Sequence, residues 1–201
     1  ILNAPDAKWA SEGANKDAPD ASVRSTDKTA GASEGASNPG LIWLPGFKSE
    51  MTSTKATHLS QWCARIGLGL TRFDYSGHGQ SGGKFEDGTL GQWLGESIEV
   101  ITRLTHGPQV LVGSSMGGFL ALLAARHFNS RAKEGEAVRI AGLVLIAPAW
   151  DMITELMWPR LPPEGRMMIE RAGVWHRPSH YGDGPYPITR DLIEEGRRHC
   201  I

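Results

Sequence analysis

The sequence has little of what marks several functional classes of protein. Its 201 residues contain two cysteines, Cys63 and Cys200, which are too few for a disulfide framework and lie in no Cys/His cluster of a zinc site. No apolar run approaches the roughly 20 residues that span a bilayer. The net charge is −1 and no basic block is present, so nothing indicates nucleic acid or an anionic membrane as a partner. These absences favour a small, uncharged substrate and point to neither a metal nor an organic cofactor.

The N-terminal region also lacks the basic and apolar segments of a secretory signal. Residues 1–39 are rich in Ala, Ser, Asp, Gly and Lys and contain few large apolar side chains, which predicts a low-complexity extension. The low cysteine content favours a reducing compartment, and the expected location is the cytoplasm. Because the sequence begins at Ile1 rather than Met, the mitochondrial matrix after removal of a targeting segment is the alternative. The oligomeric state stays open.

From residue 40 onward, short apolar segments alternate with segments of helical periodicity. The predicted strands are 41–44, 69–75, 109–113 and 140–147. The predicted helices are 56–66, a second that begins at Thr89 and ends at Gly107, and a third from Ser115 to about Phe128. Strands that are apolar throughout and alternate with helices predict an α/β fold, with a mostly parallel sheet covered by helices on both faces.

The alternation stops after Trp150. The following residues are expected to form short helices and proline-broken loops, with one further helix near 188–199 and no fifth parallel strand. The predicted organisation is therefore an N-terminal extension at 1–39, an α/β core at 40–150 and a cap or lid at 151–201.

The sequence from Gly113 to Gly117, GSSMG, has the G-x-S-x-G pattern of a reactive serine, with a strand before it and a helix immediately after. A sharp strand-to-helix turn would expose the Ser115 hydroxyl at the carboxyl edge of the sheet, and the N–H of Met116 would point to where an oxyanion forms. The alternative is an ordinary glycine-rich strand-to-helix turn, of which a phosphate loop is one form. It is less favoured because the sequence has neither G-x-G-x-x-G in its first βα unit nor Gly-Lys-Ser/Thr here.

A second oxyanion donor is expected in the loop after the first strand, whose sequence is LPGFKSEM. The candidate is the N–H of Phe47, just past Pro45 and Gly46. The alternative is that this segment is an ordinary turn.

With these pieces the chain resembles the α/β-hydrolases from about Gly40 to its C-terminus. The segments LPGFKSEMTSTKA, RFDYSGHGQSGG, TLGQW, VLVGSSMGG and GVWHRPSHYGDG are similar to the branch that contains mitochondrial palmitoyl-protein thioesterases, which also cleave acyl glucuronides, and their bacterial relatives. The resemblance implies a serine hydrolase of esters or thioesters, with Ser115 as nucleophile and Phe47 and Met116 as oxyanion donors. It also implies that His78 lies in a structural turn rather than among the catalytic groups.

A serine nucleophile needs an imidazole base, and the imidazole needs a carboxylate. In the family these follow the serine on loops after later strands, so the resemblance implies a truncated hydrolase that lacks the last strands, the acid and the base. Asp151 is a possible acid, although a helix N-cap is the favoured role for it. The histidines in the predicted cap that could substitute for the base are His176, His180 and His199. They are expected to be cap-surface or packing residues instead. His127 is expected to lie three helical turns from Ser115.

The predicted cap contains soft apolar side chains that suit an acyl chain or an aromatic ester. The candidate pocket residues are Met152, Leu156 and Trp158, and a role in the core is an equally good explanation for half of the apolar set to which they belong. The sequence therefore favours a serine esterase or thioesterase. The alternative is a binding protein of the same fold, or an inactive fragment, without a catalytic acid and base.

Overall fold

The computed structural model describes residues 38–131, 137–179 and 184–201. Almost all of the predicted N-terminal extension and His180 lie outside these ranges. The central sheet has four parallel strands in the order β2-β1-β3-β4. They are β1 (Gly40–Leu44), β2 (Leu70–Arg72), β3 (Gly107–Ser114) and β4 (Val138–Ile146).

Three helices cover this sheet, and they lie on both of its faces as the sequence predicts. They are α1 (Thr54–Ile66), α2 (Leu90–Leu104) and α3 (Met116–Arg131). Successive β1 side chains point to opposite faces, so Leu41 and Trp43 pack with Ala56 and Cys63 of α1. Ile42 and Leu44 belong instead to the larger core, which α2 and α3 supply from the other face. The class of fold is that of the α/β proteins.

Helix α2 begins and packs as predicted but ends earlier. Its inward side chains Leu90, Trp93 and Ile101 are fully buried, and the Thr89 hydroxyl caps the helix by accepting the N–H of Gln92 at 3.3 Å. The helix ends at Leu104, so the expectation that Gly107 ends it is wrong. That glycine begins β3 with a φ of 69°.

Beyond β4 the chain forms short elements that the sequence only partly indicates. They are a π-helical turn (Met152–Met157), a 3₁₀ turn (Trp158–Arg160), α4 (Pro163–Ala172), β5 (Val174–Arg177), β6 (Tyr186–Thr189) and α5 (Arg190–Gly196). Strands β5 and β6 form a two-stranded antiparallel ribbon apart from the main sheet. The helix predicted at 188–199 is shorter than expected because Ile188 belongs to β6, opposite Trp175. Four-residue strands beside prolines lack the length that makes period-two alternation visible.

The elements after β4 share the core of the sheet. Met152, Ile153, Met157, Ile188 and Leu192 belong to the same buried cluster as Ile42 and Leu44. The division into a core at 40–150 and a cap at 151–201 stays a prediction, but the two segments bury one common apolar interior. Within the described ranges, no helix combines the length and the apolar character needed to cross a membrane.

Strand β4 departs from the prediction that both faces of every strand are covered. It is the edge strand of the described sheet, and its apolar side chains Leu143, Val144 and Ile146 are exposed, Val144 by 48%. Such an edge presents unpaired backbone groups beside apolar side chains, which favours pairing with another strand.

A lysine at position 144 should reduce self-association. At concentrations where the wild type self-associates in sedimentation velocity runs, we expect Val144→Lys to lower the fraction of oligomer, because a charge on an edge strand opposes edge-to-edge pairing. Gln61→Lys adds the same charge on the exposed face of α1 and is the matched control. Equal reduction by both variants would assign the effect to net charge rather than to the β4 edge.

Candidate active site

Ser115 lies between β3 and α3 in a strained backbone conformation. Its φ is 55°, in the left-handed region that costs a residue with a side chain about 1–3 kcal/mol. Backbone bonds on both sides hold it there: its N–H donates to the carbonyl of Ile146 at 3.0 Å, and its own carbonyl accepts N–H groups from Gly118, Phe119 and Ala149 at 3.0–3.2 Å. The Ser115 side chain is exposed at the carboxyl edge of the sheet. The position and the conformation predicted for the turn are confirmed.

The glycines on either side of Ser115 are required by close backbone packing. A Cβ at Gly113 would lie 2.3 Å from the carbonyl oxygen of Gly117. A Cβ at Gly117 would lie 2.0 Å from the carbonyl oxygen of Leu44 and 2.4 Å from that of Pro45. Real Cβ atoms do not approach carbonyl oxygens so closely, so α3 can begin beside the end of β1 only when both positions lack a side chain.

Two backbone N–H groups beside Ser115 have no acceptor among the described residues. One belongs to Met116, the first residue of α3, and the other to Phe47 in the loop after β1. This loop reaches the serine turn, because the Cβ position of Gly46 is 3.3 Å from the Cβ of Ser115. Most backbone donors that are shielded from water are paired, so these two N–H groups next to an exposed hydroxyl are donors that remain available to a ligand.

Side chains of the turn that follows β2 form hydrogen bonds with the backbone of the loop after β1. Asp74 accepts the N–H of Met51 at 2.6 Å through Oδ1, and the Tyr75 hydroxyl donates to the carbonyl of Pro45 at 3.3 Å. The Nε2 atom of His78 accepts the N–H of Lys48 at 3.1 Å. His78 is 4% exposed and makes no contact with Ser115, so its interpretation as a structural residue agrees with the structure.

Phe47 also connects the loop to the C-terminal elements. Its ring makes edge-to-face contacts with Phe85, Trp93 and Tyr186, with centroids 5.0–5.9 Å apart. Tyr186 lies on β6, and the ammonium group of Lys48 is 5.6 Å from its ring centroid. Phe47, whose N–H is free, is therefore held between the core and the β5–β6 ribbon. The sequence does not indicate its contact with Tyr186.

No histidine among the described residues lies within hydrogen-bond distance of the Ser115 hydroxyl. His127 is near the end of α3, about 16 Å along the helix from Met116 at 1.5 Å per residue. His176 is exposed on β5, where it lines an open cleft of about 580 Å³ with Glu86 and Arg190. His180 lies outside the described residues.

His199 is a packing residue, as expected for the segment in which it lies. Its Nε2 atom is 2.5 Å from Oε1 of Glu195, whose Oε2 accepts the N–H of Gly91 at 2.9 Å. Burial alone would raise the pKa of Glu195, but these two hydrogen bonds and the nearby charges of His199 and Arg198 hold that pKa below its usual value. The pair attaches α5 to the first turn of α2.

Asp151 does not cap the helical turn that follows it, which corrects the favoured interpretation. Its φ is 46°, its side chain makes no capping hydrogen bond, and its Oδ1 accepts the N–H of Ile201 at 2.9 Å. Because the backbone of Asp151 is left-handed, its carboxylate points away from the N–H groups of the next turn. The carboxylate accepts the N–H of Ile201 instead.

The three candidate pocket residues have different environments. Met152 is buried in the main core, which is the alternative role for it, whereas Leu156 and Trp158 are half-buried. The guanidinium groups of Arg197 and Arg166 lie 4.9 and 5.7 Å from the Trp158 ring. The pocket assignment stays a prediction. Among the residues that the structure describes, no group of three or more His, Cys, Asp or Glu side chains is placed to hold a metal ion.

An exposed serine at a strained turn on the carboxyl edge of a parallel sheet, covered by helices on both faces, defines an α/β-hydrolase fold. The profile of the family described as "Serine aminopeptidase, S33" matches residues 41–190. The chain belongs to this family of α/β-hydrolases.

Individual relatives agree with this assignment. The chain is 38% identical over 165 residues to the human protein named palmitoyl-protein thioesterase ABHD10, mitochondrial, a match that covers 82% of the chain and 51% of the relative. A solved structure from Agrobacterium vitis S4 is 40% identical with a TM-score of 0.76, covering 81% of this chain and 62% of that one. Mouse α/β hydrolase domain-containing protein 10 is 36% identical with a TM-score of 0.67, covering 83% and 64%. The chain spans about half the length of the curated relatives it matches.

Replacing Gly117 should disrupt the packing between α3 and β1. We expect Gly117→Ala to lower the free energy of unfolding by about 3 kcal/mol or more, because the new methyl group meets two carbonyl oxygens that cannot move independently of β1. Urea denaturation followed by far-ultraviolet circular dichroism measures this. Gly95→Ala is the matched control: nothing lies within 4 Å of its Cβ position in α2, and alanine should stabilise that helix by about 0.5–1 kcal/mol. Equal effects would contradict the packing argument.

The buried imidazole of His78 should make stability depend on pH. Burial lowers the pKa of His78 despite the Ser76 carbonyl and the nearby Asp74 and Glu96 carboxylates, so the unfolded chain binds this proton more readily than the folded one. Its contribution is therefore fully present above the unfolded pKa, about 6.5, and is lost as pH falls from there towards the folded pKa.

We expect the urea midpoint of the wild type to fall below about pH 6.5, with a shallower slope in His78→Gln. Glu195 affects stability in a lower pH range than His78. Because its pKa is depressed in the folded state, the stability that Glu195 contributes is lost only as pH falls through the acidic range in which a carboxylate is protonated. Identical slopes in both proteins between pH 5.5 and 7 would show that His78 does not titrate with unfolding.

Proposed function

We propose that this chain carries the nucleophile and the oxyanion site of a serine hydrolase that cleaves carboxylic esters or acyl thioesters. The observation that carries the proposal is the exposed Ser115 hydroxyl at a φ of 55°, beside the unpaired N–H groups of Met116 and Phe47. A strained residue persists only where its surroundings hold it, and such residues cluster at active sites.

In this mechanism the Ser115 Oγ attacks the acyl carbon and a base takes its proton. The two free N–H groups donate to the oxygen that becomes negative, and collapse of the tetrahedral intermediate expels the alcohol or thiol, which takes up the proton. Water then repeats the sequence on the acyl-enzyme, releasing the carboxylic acid and restoring the serine. Since no described imidazole reaches Ser115, the base is a histidine outside the described residues.

The relatives support the acyl thioester as one substrate class, because several of them are named palmitoyl-protein thioesterases. Leu156 and Trp158 are half-buried apolar residues that would contact an acyl chain. The same relatives are named mitochondrial, which favours a mitochondrial location over the cytoplasmic one expected from composition.

A second candidate is a binding protein of the same fold in which no acyl transfer occurs. The absence of a histidine partner for Ser115 within the described residues favours it. The strained serine turn opposes it, since a binding site has no need of a left-handed residue with a side chain.

Serine-directed labelling tests whether Ser115 is reactive in this chain. The chain is treated with a fluorophosphonate, and the adduct is measured by intact mass and peptide mapping. If the base lies within these 201 residues, we expect stoichiometric labelling at Ser115, loss of labelling in Ser115→Ala, and hydrolysis of a palmitoyl thioester that follows the same pattern. Ser114→Ala is the matched control, because Ser114 is the adjacent serine and is 8% exposed in β3.

The opposite outcome is equally informative. Removing catalytic groups typically leaves about 10³- to 10⁴-fold acceleration over water, far below an intact triad. Absence of prompt labelling in the wild-type chain would favour the binding protein, or would show that the base lies in a part of the protein that this sequence does not contain.

A further inference from the structure

The ring of His78 lies beneath the loop that carries Phe47, enclosed by aromatic side chains. The centroids of Phe85 and Trp93 are each 5.0 Å from the imidazole centroid, and that of Tyr75 is 5.5 Å away. The ring is 4% exposed, and each of its two nitrogens has a hydrogen-bond partner. A polar ring buried so deeply is held by those two bonds.

The two partners determine which nitrogen carries the proton. Nδ1 is 3.1 Å from the carbonyl oxygen of Ser76, which can only accept, so Nδ1 carries the hydrogen. Nε2 is 3.1 Å from the backbone nitrogen of Lys48, which can only donate, so Nε2 presents its lone pair. The arrangement therefore requires the neutral Nδ1–H tautomer, and an imidazolium would place an N–H against the N–H of Lys48.

Lys48 has a backbone conformation that is unfavourable for a residue with a side chain. Its φ is 57°, and it is the third residue of a turn closed by the bond from the Ser49 N–H to the Gly46 carbonyl at 3.0 Å. Glycine or asparagine is favoured where φ is positive at this turn position. Among the described residues, the bond to His78 is the one that holds the peptide between Phe47 and Lys48, directly after the peptide that carries the Phe47 N–H.

We propose that His78 is a positioning residue of the candidate oxyanion site: its neutral imidazole holds the Gly46–Ser49 turn through the Lys48 N–H, and losing that acceptor, by substitution or by protonation, misplaces the Phe47 N–H. The inference rests on the proposed function, because it assigns the turn a part in stabilising the oxyanion. It gives the aromatic pocket around His78 a role in the chemistry of Ser115 without contact between the two side chains.

The charges around the ring set the conditions under which the acceptor is present. The segments that pack against the ring carry the titratable groups Asp74, Tyr75, Glu96, Glu86, Asp87 and Lys48, and of these the Asp74 and Glu96 carboxylates act on the imidazole. Burial lowers the pKa of His78, and it outweighs the Ser76 carbonyl and the Asp74 and Glu96 carboxylates, which favour the imidazolium. The turn therefore keeps its support at neutral pH and loses it in acid.

Two substitutions separate the hydrogen bond from the packing. His78→Phe keeps an aromatic ring among Tyr75, Phe85 and Trp93 but has no lone pair for Lys48. His78→Gln offers an amide oxygen in place of Nε2. We expect the second-order rate constant for fluorophosphonate labelling of Ser115 to fall at least about tenfold in the phenylalanine variant, since loss of a whole oxyanion donor costs about 10²- to 10³-fold. The glutamine variant should stay within a few-fold of the wild type.

Nuclear magnetic resonance gives a readout that does not depend on labelling. Long-range ¹H–¹⁵N spectra at pH 7 should show His78 as the neutral Nδ1–H tautomer. The amide signals of Phe47 and Lys48 should move strongly in the phenylalanine variant and return towards their wild-type positions in the glutamine variant.

The outcomes distinguish this proposal from the proposed function. Equal labelling of the wild type and of a folded phenylalanine variant would overturn the positioning role. If the phenylalanine variant does not fold, two other results would overturn the positioning role. One is a wild-type His78 ring that is charged or protonated at Nε2. The other is a glutamine variant that loses labelling while its Phe47 and Lys48 amide signals stay unchanged. If the wild type itself is not labelled, the chain as given either has no working base or is a binding protein, and unchanged turn signals in the phenylalanine variant would then reject the role of His78 independently.

Discussion

The close approach of two backbone segments is the constraint on which the rest of the site depends. Helix α3 begins against the carbonyl groups that end β1, and the contact leaves no room for a side chain at Gly117. This approach places Ser115 at the carboxyl edge of the sheet, where its left-handed conformation is held by Ile146 and Ala149 from the β4 side. It also brings the loop after β1 beside the same serine. The start of α3 and the position of Ser115 both depend on this one steric fit.

Around this contact, backbone hydrogen bonding separates supporting groups from groups left free. Asp74, Tyr75 and His78 pair with backbone atoms of the loop after β1 and hold it over the turn that follows β2. The N–H groups that remain unpaired are those of Met116 and Phe47, beside the exposed hydroxyl. Because folding normally pairs shielded N–H groups, these two unpaired donors beside Ser115 support the proposed oxyanion site.

The elements after β4 complete the environment of the loop rather than forming a separate layer. Tyr186 of β6 contacts Phe47, and Glu195 of α5 accepts an N–H from the first turn of α2. Their apolar side chains enter the core beneath the sheet edge. Strand β4 by contrast keeps exposed apolar side chains at the free edge of the described sheet.

The sequence by itself determined the alternation of strands and helices, the parallel sheet, the turn at Ser115 and the residues whose N–H groups flank it, because period, glycine placement and the serine pattern are local properties of the chain. It did not reveal the β5–β6 ribbon, whose strands are too short for their period to be recognised, or the partner of Asp151, which lies fifty residues away. Only the tertiary structure decided that His78 accepts the N–H of Lys48 and that Tyr186 contacts Phe47. Those pairings join segments that are distant in the sequence, and the distance between two such atoms is set by packing of the whole domain rather than by any residue's own preference.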